Sequence, residues 1–172
     1  MTEVLDTIFK RRSIRKYQEK PVEKEKLVLL LKAAMAAPTA SNNQPWEFVV
    51  VDEEEIMQQF RSRMKYGPYN APAAIVVCHN PQIGRSPRSN RFYQQDCSAA
   101  IQNMLVAAVD LGLGTVWLGV YPGEETEQTV KEIAGLPEDI IPVAVIYVGY
   151  PAEEKEARTQ YEESRLHWQH YS

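Results

Sequence analysis

The stretch KRRSIRKY, Lys10 to Tyr17, places five basic residues in eight positions of a chain whose net charge is −4. Guanidinium groups present paired N–H donors that match phosphate and carboxylate oxygens, so arginines this dense form a candidate anion site. Two other uses compete with that one. Lys10, Arg11 and Arg12 suit the negative end of a helix dipole, but Arg15 and Lys16 continue after that helix should have stopped. A nucleic-acid surface needs basic excess over a whole face, and the acidic balance of the chain argues against one. The cluster is local, so its expected target is a small anion.

Other chemistry is missing from the side chains. LGLGTVWLG holds Gly112, Gly114 and Gly119, but the spacing is not GxGxxG, and these glycines precede a strand where a dinucleotide fingerprint would follow one. There is no Walker-type phosphate loop and no GxSxG elbow. His79, His167 and His170 form no metal motif, so no metal is expected. Cys78 and His79 are adjacent, and neighbours on a strand point to opposite faces, a poor geometry for a nucleophile and its base. If the protein is an enzyme, a bound cofactor should carry the chemistry.

The elements that must position these residues alternate along one domain, residues 1–172. Thr2 can cap a first helix with Val4, Leu5, Ile8 and Phe9 at helical spacing. A second helix is expected from about Val22 to Ala37, with Leu27, Leu30, Leu31, Ala34 and Met35 facing a core and Pro38 closing it. The polar loop PTASNNQPW leads into EFVVV, read as a buried strand, and then a polar helix over about Glu53 to Tyr66. AAIVVCHN from Ala73 is a second buried strand. A long helix from about Phe92 to Leu111 carries Ala99, Ala100, Ala107 and Ala108, small residues that suit close packing. TVWLGV, a short helix over Thr126–Ala134 and the strand IPVAVIYVGY complete an alternation that reads as one α/β domain. No apolar run is long enough for a bilayer span, and MTEVLDTIF lacks the basic start of a signal peptide, so a cytoplasmic location with no membrane partner is expected. The tail, about 151–172, is polar but carries Tyr161, Leu166, Trp168 and Tyr171, a pattern that suits wrapping a partner subunit.

Three segments then read together. RRSIRKY after the first helix, PTASNNQPWEFVVV after the second, and DCSAAIQNMLVAAVDLGLGTVWLGVYP from Asp96 resemble the flavin-dependent nitroreductase superfamily, in order and over nearly the whole chain. The resemblance implies an α+β fold, with helices around a central, mixed but mainly antiparallel sheet. It also implies an intertwined homodimer with one FMN in each of two interface pockets. On that basis Arg11 and Ser13 meet phosphate and ribityl oxygens, Arg12 adds charge or a backbone contact, and Arg15 reaches the pyrimidine side of the flavin. Pro38, Thr39, Ala40 and Asn42 match the loop that reaches the flavin from the other subunit. Leu118 and Gly119 match the position where backbone N–H groups face the ring. Lys155 and Arg158 match a basic pair that returns to the phosphate. Trp46 is read as core packing.

The activity implied is transfer of hydride or electrons from NAD(P)H through FMN to a nitroaromatic, a quinone or a similar small acceptor. The alternatives are a specialised flavin enzyme of the same fold, such as a dehalogenase or flavin-modifying enzyme, and a non-catalytic flavin-binding protein. Only Pro81 to Asn90 separates the second strand from the long helix, which leaves little room for a lid, and Ala40 stands where many members have a hydroxyl residue.

Overall fold

In a computed structural model, which describes residues 2–171, the four apolar runs are the strands β1 (Trp46–Val51), β2 (Ala73–His79), β3 (Gly114–Gly119) and β4 (Ile141–Gly149). They form one sheet in the order β1-β2-β4-β3, every neighbouring pair antiparallel. Among the described residues a parallel pairing occurs only as the isolated bridge between Ser13 and Thr115. β2 is buried at every position and β4 at all but its first. Runs with no polar face need cover on both sides, which is why these two take the centre. β1, expected as a buried strand, is an edge strand with its middle residues partly exposed.

Five helices cover the sheet: α1 (Glu3–Lys10), α2 (Lys24–Met35), α3 (Glu54–Arg63), α4 (Tyr93–Asp110) and α5 (Glu124–Ala134). Strand side chains alternate, so Ile75, Val77, Ile146 and Val148 meet α2 and α4, where Leu30, Ala34, Ala100, Ile101 and Met104 are fully buried. Ala74, Val76, Val145 and Tyr147 face the other way, onto Met57 and Phe60 of α3 and Val130 of α5. The fold is therefore α+β with helices on both faces. Trp46 is core, as read.

Several local expectations need correction. Met35 is 53% exposed and does not face the core. Thr2 sits at the N-cap of α1 but makes no side-chain capping bond. α5 begins at Glu124, because Gly123 already supplies the extended N-cap backbone. The free thiols of Cys78 and Cys97 are pushed up to about 12 by burial, so both stay protonated at neutral pH and neither is a nucleophile. Among the described residues no helix is long and apolar enough to cross a membrane.

α1 packs against α4 but buries none of its residues. Val4, Leu5 and Ile8 remain 40–67% exposed on an otherwise amphipathic helix. The tail is exposed from Glu156 to Tyr171, with Trp168 at 81% and Tyr171 at 92%.

Candidate functional site

The basic segment leaves α1 and runs along the outer edge of β3. The Ile14 N–H donates to the Thr115 carbonyl at 2.9 Å. Farther on, the Gln18 N–H donates to Tyr150 and the Ala152 N–H to Lys16, each at 2.9 Å. The returning chain closes over the segment. Lys155 donates to the Ser13 carbonyl at 2.6 Å, the Arg158 N–H to the Phe9 carbonyl at 3.1 Å, and the Arg12 guanidinium to the Glu156 carbonyl.

Gly114 makes the edge contact possible. A Cβ at this position would lie 2.9 Å from Cβ, Cγ1 and Cγ2 of Ile14, closer than packed carbons tolerate. Gly114→Val is therefore expected to lift the segment off β3 and to cost about 1–3 kcal/mol of stability through overpacking. Hydrogen exchange reports it directly: the Ile14 amide should lose protection, and an amide that stays protected at unchanged stability would refute the account.

Stitched in this way, Arg11, Arg12 and Arg158 are brought together, and among the described residues none of the three is in an ion pair with an acid. Burial first, and then the charges of Arg158 and Arg12, pull the Arg11 guanidinium below the usual arginine range. Nε of Arg12 is buried with no hydrogen-bond partner among the described residues. The nearby Glu153 is already engaged, accepting from the Arg15 N–H at 2.6 Å and pairing with Lys155 at 3.1 Å. Like charges held together in a folded chain raise its energy unless an anion joins them. A cleft of about 520 Å³ adjoins the segment, lined among others by Lys10, Arg12, Thr115, Glu153 and Lys155.

The edge of β3 extends the site away from the arginines. Residues of one strand alternate the side to which their N–H and C=O point. Because the Thr115 carbonyl faces Ile14, Trp117 and Gly119 also present their backbone groups to the open edge, while Leu118 faces β4 opposite Val145. Gly119 is exposed, and a Cβ built on it would meet nothing within 4 Å. Four residue steps separate Thr115 from Gly119, about 13 Å at strand rise. The edge thus joins a cationic end to an open, flat end, which fits a molecule with a phosphate at one end and a planar ring at the other. The Arg15 guanidinium lies 5.8 Å from the centre of the Tyr69 ring.

The loop after α2 forms a second cluster. Thr39 is extended, and Ala40–Asn42 form a short helical turn in which Ser41 and Asn42 both have φ of 53°. Gln44 follows at 51°. Left-handed backbone costs a non-glycine residue roughly 1–2 kcal/mol, so three such residues persist only where the surroundings hold them. Asp96 accepts the Ala40 N–H at 2.8 Å, and Thr39 Oγ1 accepts the Gln44 N–H at 3.1 Å. Gln44 donates to Asn42 Oδ1 at 3.0 Å. Asn43, buried, donates to Asn90 Oδ1 and accepts the Ser86 N–H, both at 2.8 Å, so the 81–90 loop is tied down onto this one.

The two clusters sit toward opposite ends of α4. Asp96 supports the loop near its start, whereas Val109 lines the cleft beside Arg12 near its end. Thirteen residues of helix make about 20 Å. Pro38, Thr39, Ala40 and Asn42 are thus grouped together, as are Arg11, Arg12, Ser13, Lys155 and Arg158, but one chain does not bring the groups to one point. Sequence reasoning passed over Asp96, Glu153 and Asn43. Asp96 had a visible signal: it is an acid in register with Ala100, Met104 and Ala108, on the apolar face of α4.

The model for the Nitroreductase family matches residues 8–67 and 61–150. An Archaeoglobus fulgidus protein, provisionally named NADH dehydrogenase/NAD(P)H nitroreductase, is 44% identical over 172 residues, covering 97% of this chain and 98% of that one. The chain belongs to the nitroreductase family. Its fold is that of solved nitroreductase structures. A protein from Bacteroides thetaiotaomicron under the same provisional name superposes with a TM-score of 0.91 at 39% identity, over 99% of each chain. An FMN-dependent nitroreductase from Clostridium difficile gives a TM-score of 0.85 at 32% identity, covering 97% of this chain and 99% of that one. A nitroreductase family member is an oxidoreductase.

Proposed function

We propose that this nitroreductase is a homodimeric, FMN-dependent enzyme that takes reducing equivalents from NAD(P)H and passes them to a nitroaromatic, a quinone or a similar small acceptor. The observation that carries the reading is the convergence of Arg11, Arg12 and Arg158, with a buried unpartnered Nε, at one end of an open strand edge whose other end is the bare Gly119. When bound, FMN would supply the reversible two-electron chemistry that no side chain here offers.

In this reading Arg11, Arg12 and Arg158 hold the phosphate, and Ser13 meets the ribityl oxygens. Lys155 acts on Ser13 through its carbonyl. The Gly119 N–H meets the ring edge, Leu118 shapes the strand beneath it, and Arg15 contributes positive charge on the ring side. Pro38, Thr39, Ala40 and Asn42 reach the ring from a second copy, because within one chain their loop is supported about 20 Å of helix away from the arginine end. The exposed apolar face of α1 and the aromatic tail supply surface for that second copy. The protein's share of catalysis is positioning, exclusion of water and fixed positive charge, and protons for the product come from water. Two buried, unpaired thiols suit a reducing, cytoplasmic setting.

The purified protein is expected to be yellow, to release FMN and not FAD on heating, and to oxidise NAD(P)H with menadione as acceptor. Colourless protein that takes up no added FMN would overturn the proposal. Bound flavin without turnover would leave a flavin-binding protein instead.

A further inference from the structure

Asp96 is a carboxylate 4% exposed, in the first turn of α4. Its Oδ1 accepts the Ala40 N–H at 2.8 Å, while Oδ2 is buried with no hydrogen-bond partner among the described residues. A buried carboxyl group with one oxygen left unbonded is costly, and an apolar residue would serve the core better if packing were its only task. The amide it holds opens the turn in which Ser41 and Asn42 are both left-handed. At the other end of the loop the Pro45 carbonyl accepts the Asn80 N–H at 2.8 Å, next to the buried His79, which stacks on Tyr93 at 4.3 Å between ring centres. The loop's strained backbone is therefore held from α4 by a buried carboxyl group, which lines the same shallow pocket as Pro38, Thr39 and Ala40.

We propose that Asp96 is a positioning residue for the cofactor site: through Ala40 it sets the left-handed turn that presents Thr39, Ala40 and Asn42 to the ring of the flavin. The assignment rests on the reading that this loop meets a flavin bound by a second copy of the chain. It differs from that reading in what it predicts. Asp96 acts at the ring and not at the phosphate, so its loss weakens FMN and riboflavin by a common factor, whereas loss of a phosphate-binding arginine weakens FMN alone.

The test uses the full chain, stripped of flavin and titrated separately with FMN and riboflavin, with hydrogen exchange at the Ala40 amide as a readout that needs no turnover. Asp96→Ala is expected to speed Ala40 exchange and to weaken both flavins together by roughly tenfold. Asp96→Asn keeps an acceptor at Oδ1 and is expected to recover much of both losses. Asp96→Leu, of similar length and without an acceptor, answers the question if the alanine variant does not fold. Flavin affinities within about twofold of the parent in Asp96→Ala or Asp96→Leu, or a loss confined to FMN, would overturn the assignment. A parent protein that binds neither flavin would defeat the functional reading itself, and this assignment with it.

Discussion

Arg11→Ala is expected to weaken FMN roughly ten- to a hundredfold, the worth of about 1.5–3 kcal/mol for a charge-assisted contact, while riboflavin stays within about twofold. The contrast between the two ligands isolates the phosphate, because they share everything else. A second observable separates this from general damage. Burial and the charges of Arg158 and Arg12 already depress Arg11's affinity for its proton. A base whose folded pKa is depressed loses stability wherever it is charged in the folded state, and at neutral pH an arginine is charged both folded and unfolded. Removing it from the flavin-free protein therefore relieves repulsion, and the variant should unfold at no lower temperature than the parent. Equal losses for FMN and riboflavin would show that Arg11 does not touch phosphate. A flavin-free variant that melts well below its parent would show that its role is structural.

The second large effect concerns the tail. Deleting residues from Tyr161 onward should loosen the proposed dimer and lower FMN retention together. From Glu156 to Tyr171 its side chains lie in the open, with Tyr161 68% exposed, Trp168 81% and Tyr171 92%. Backbone contact with the body ends near Arg158, whose N–H reaches Phe9. Aromatic side chains left in water on an extended arm are the residue types that anchor interfaces, where one such anchor is typically worth about 2 kcal/mol or more. Loss of a single anchor then raises the dimer dissociation constant by about thirtyfold, and the deletion removes several aromatics at once. The monomer core is expected to survive, because no described residue after Glu156 is buried. Sedimentation of the flavin-loaded protein at several concentrations decides the matter. A truncated chain that sediments as a fully flavinated dimer would refute the tail's role, and an intact flavinated monomer would refute the dimer.

Some of this architecture is written locally. The apolar runs at residues 73–79 and 141–149 have no polar face, so they had to lie in the middle of a sheet, and they do. The small residues of α4 had to be packed closely, and Ala100 and Ala108 are fully buried. β1 misled for a physical reason: EFVVV looks like a central strand, yet an edge strand with one covered face can carry the same residues. Met35 misled because the stripe ends one residue earlier: Ala34 is fully buried, while Met35, the last residue of α2, turns out of the core. The strained turn had little legible signal: asparagine tolerates the left-handed backbone of Asn42, but Ser41 gives no such cue, and the bonds that hold the turn come from α4 and from the 81–90 loop.

By itself, then, the sequence determined which runs are strands and helices, and it singled out the basic cluster as the candidate anion site. Periodicity and residue type are local properties, and they act before any distant contact forms. Only the tertiary structure decided that β1 and β2, joined through α3, return as antiparallel neighbours, and that β4 inserts between β2 and β3. Connections of this length permit either a parallel crossover or a return, and nothing local distinguishes them. The tertiary structure also decided that Arg158, from the far end of the chain, meets Arg11 and Arg12. It decided too that a carboxylate on α4 holds the loop after α2. Each is a contact between segments remote in sequence, fixed by how the helices pack on the sheet and so invisible until the sheet is assembled.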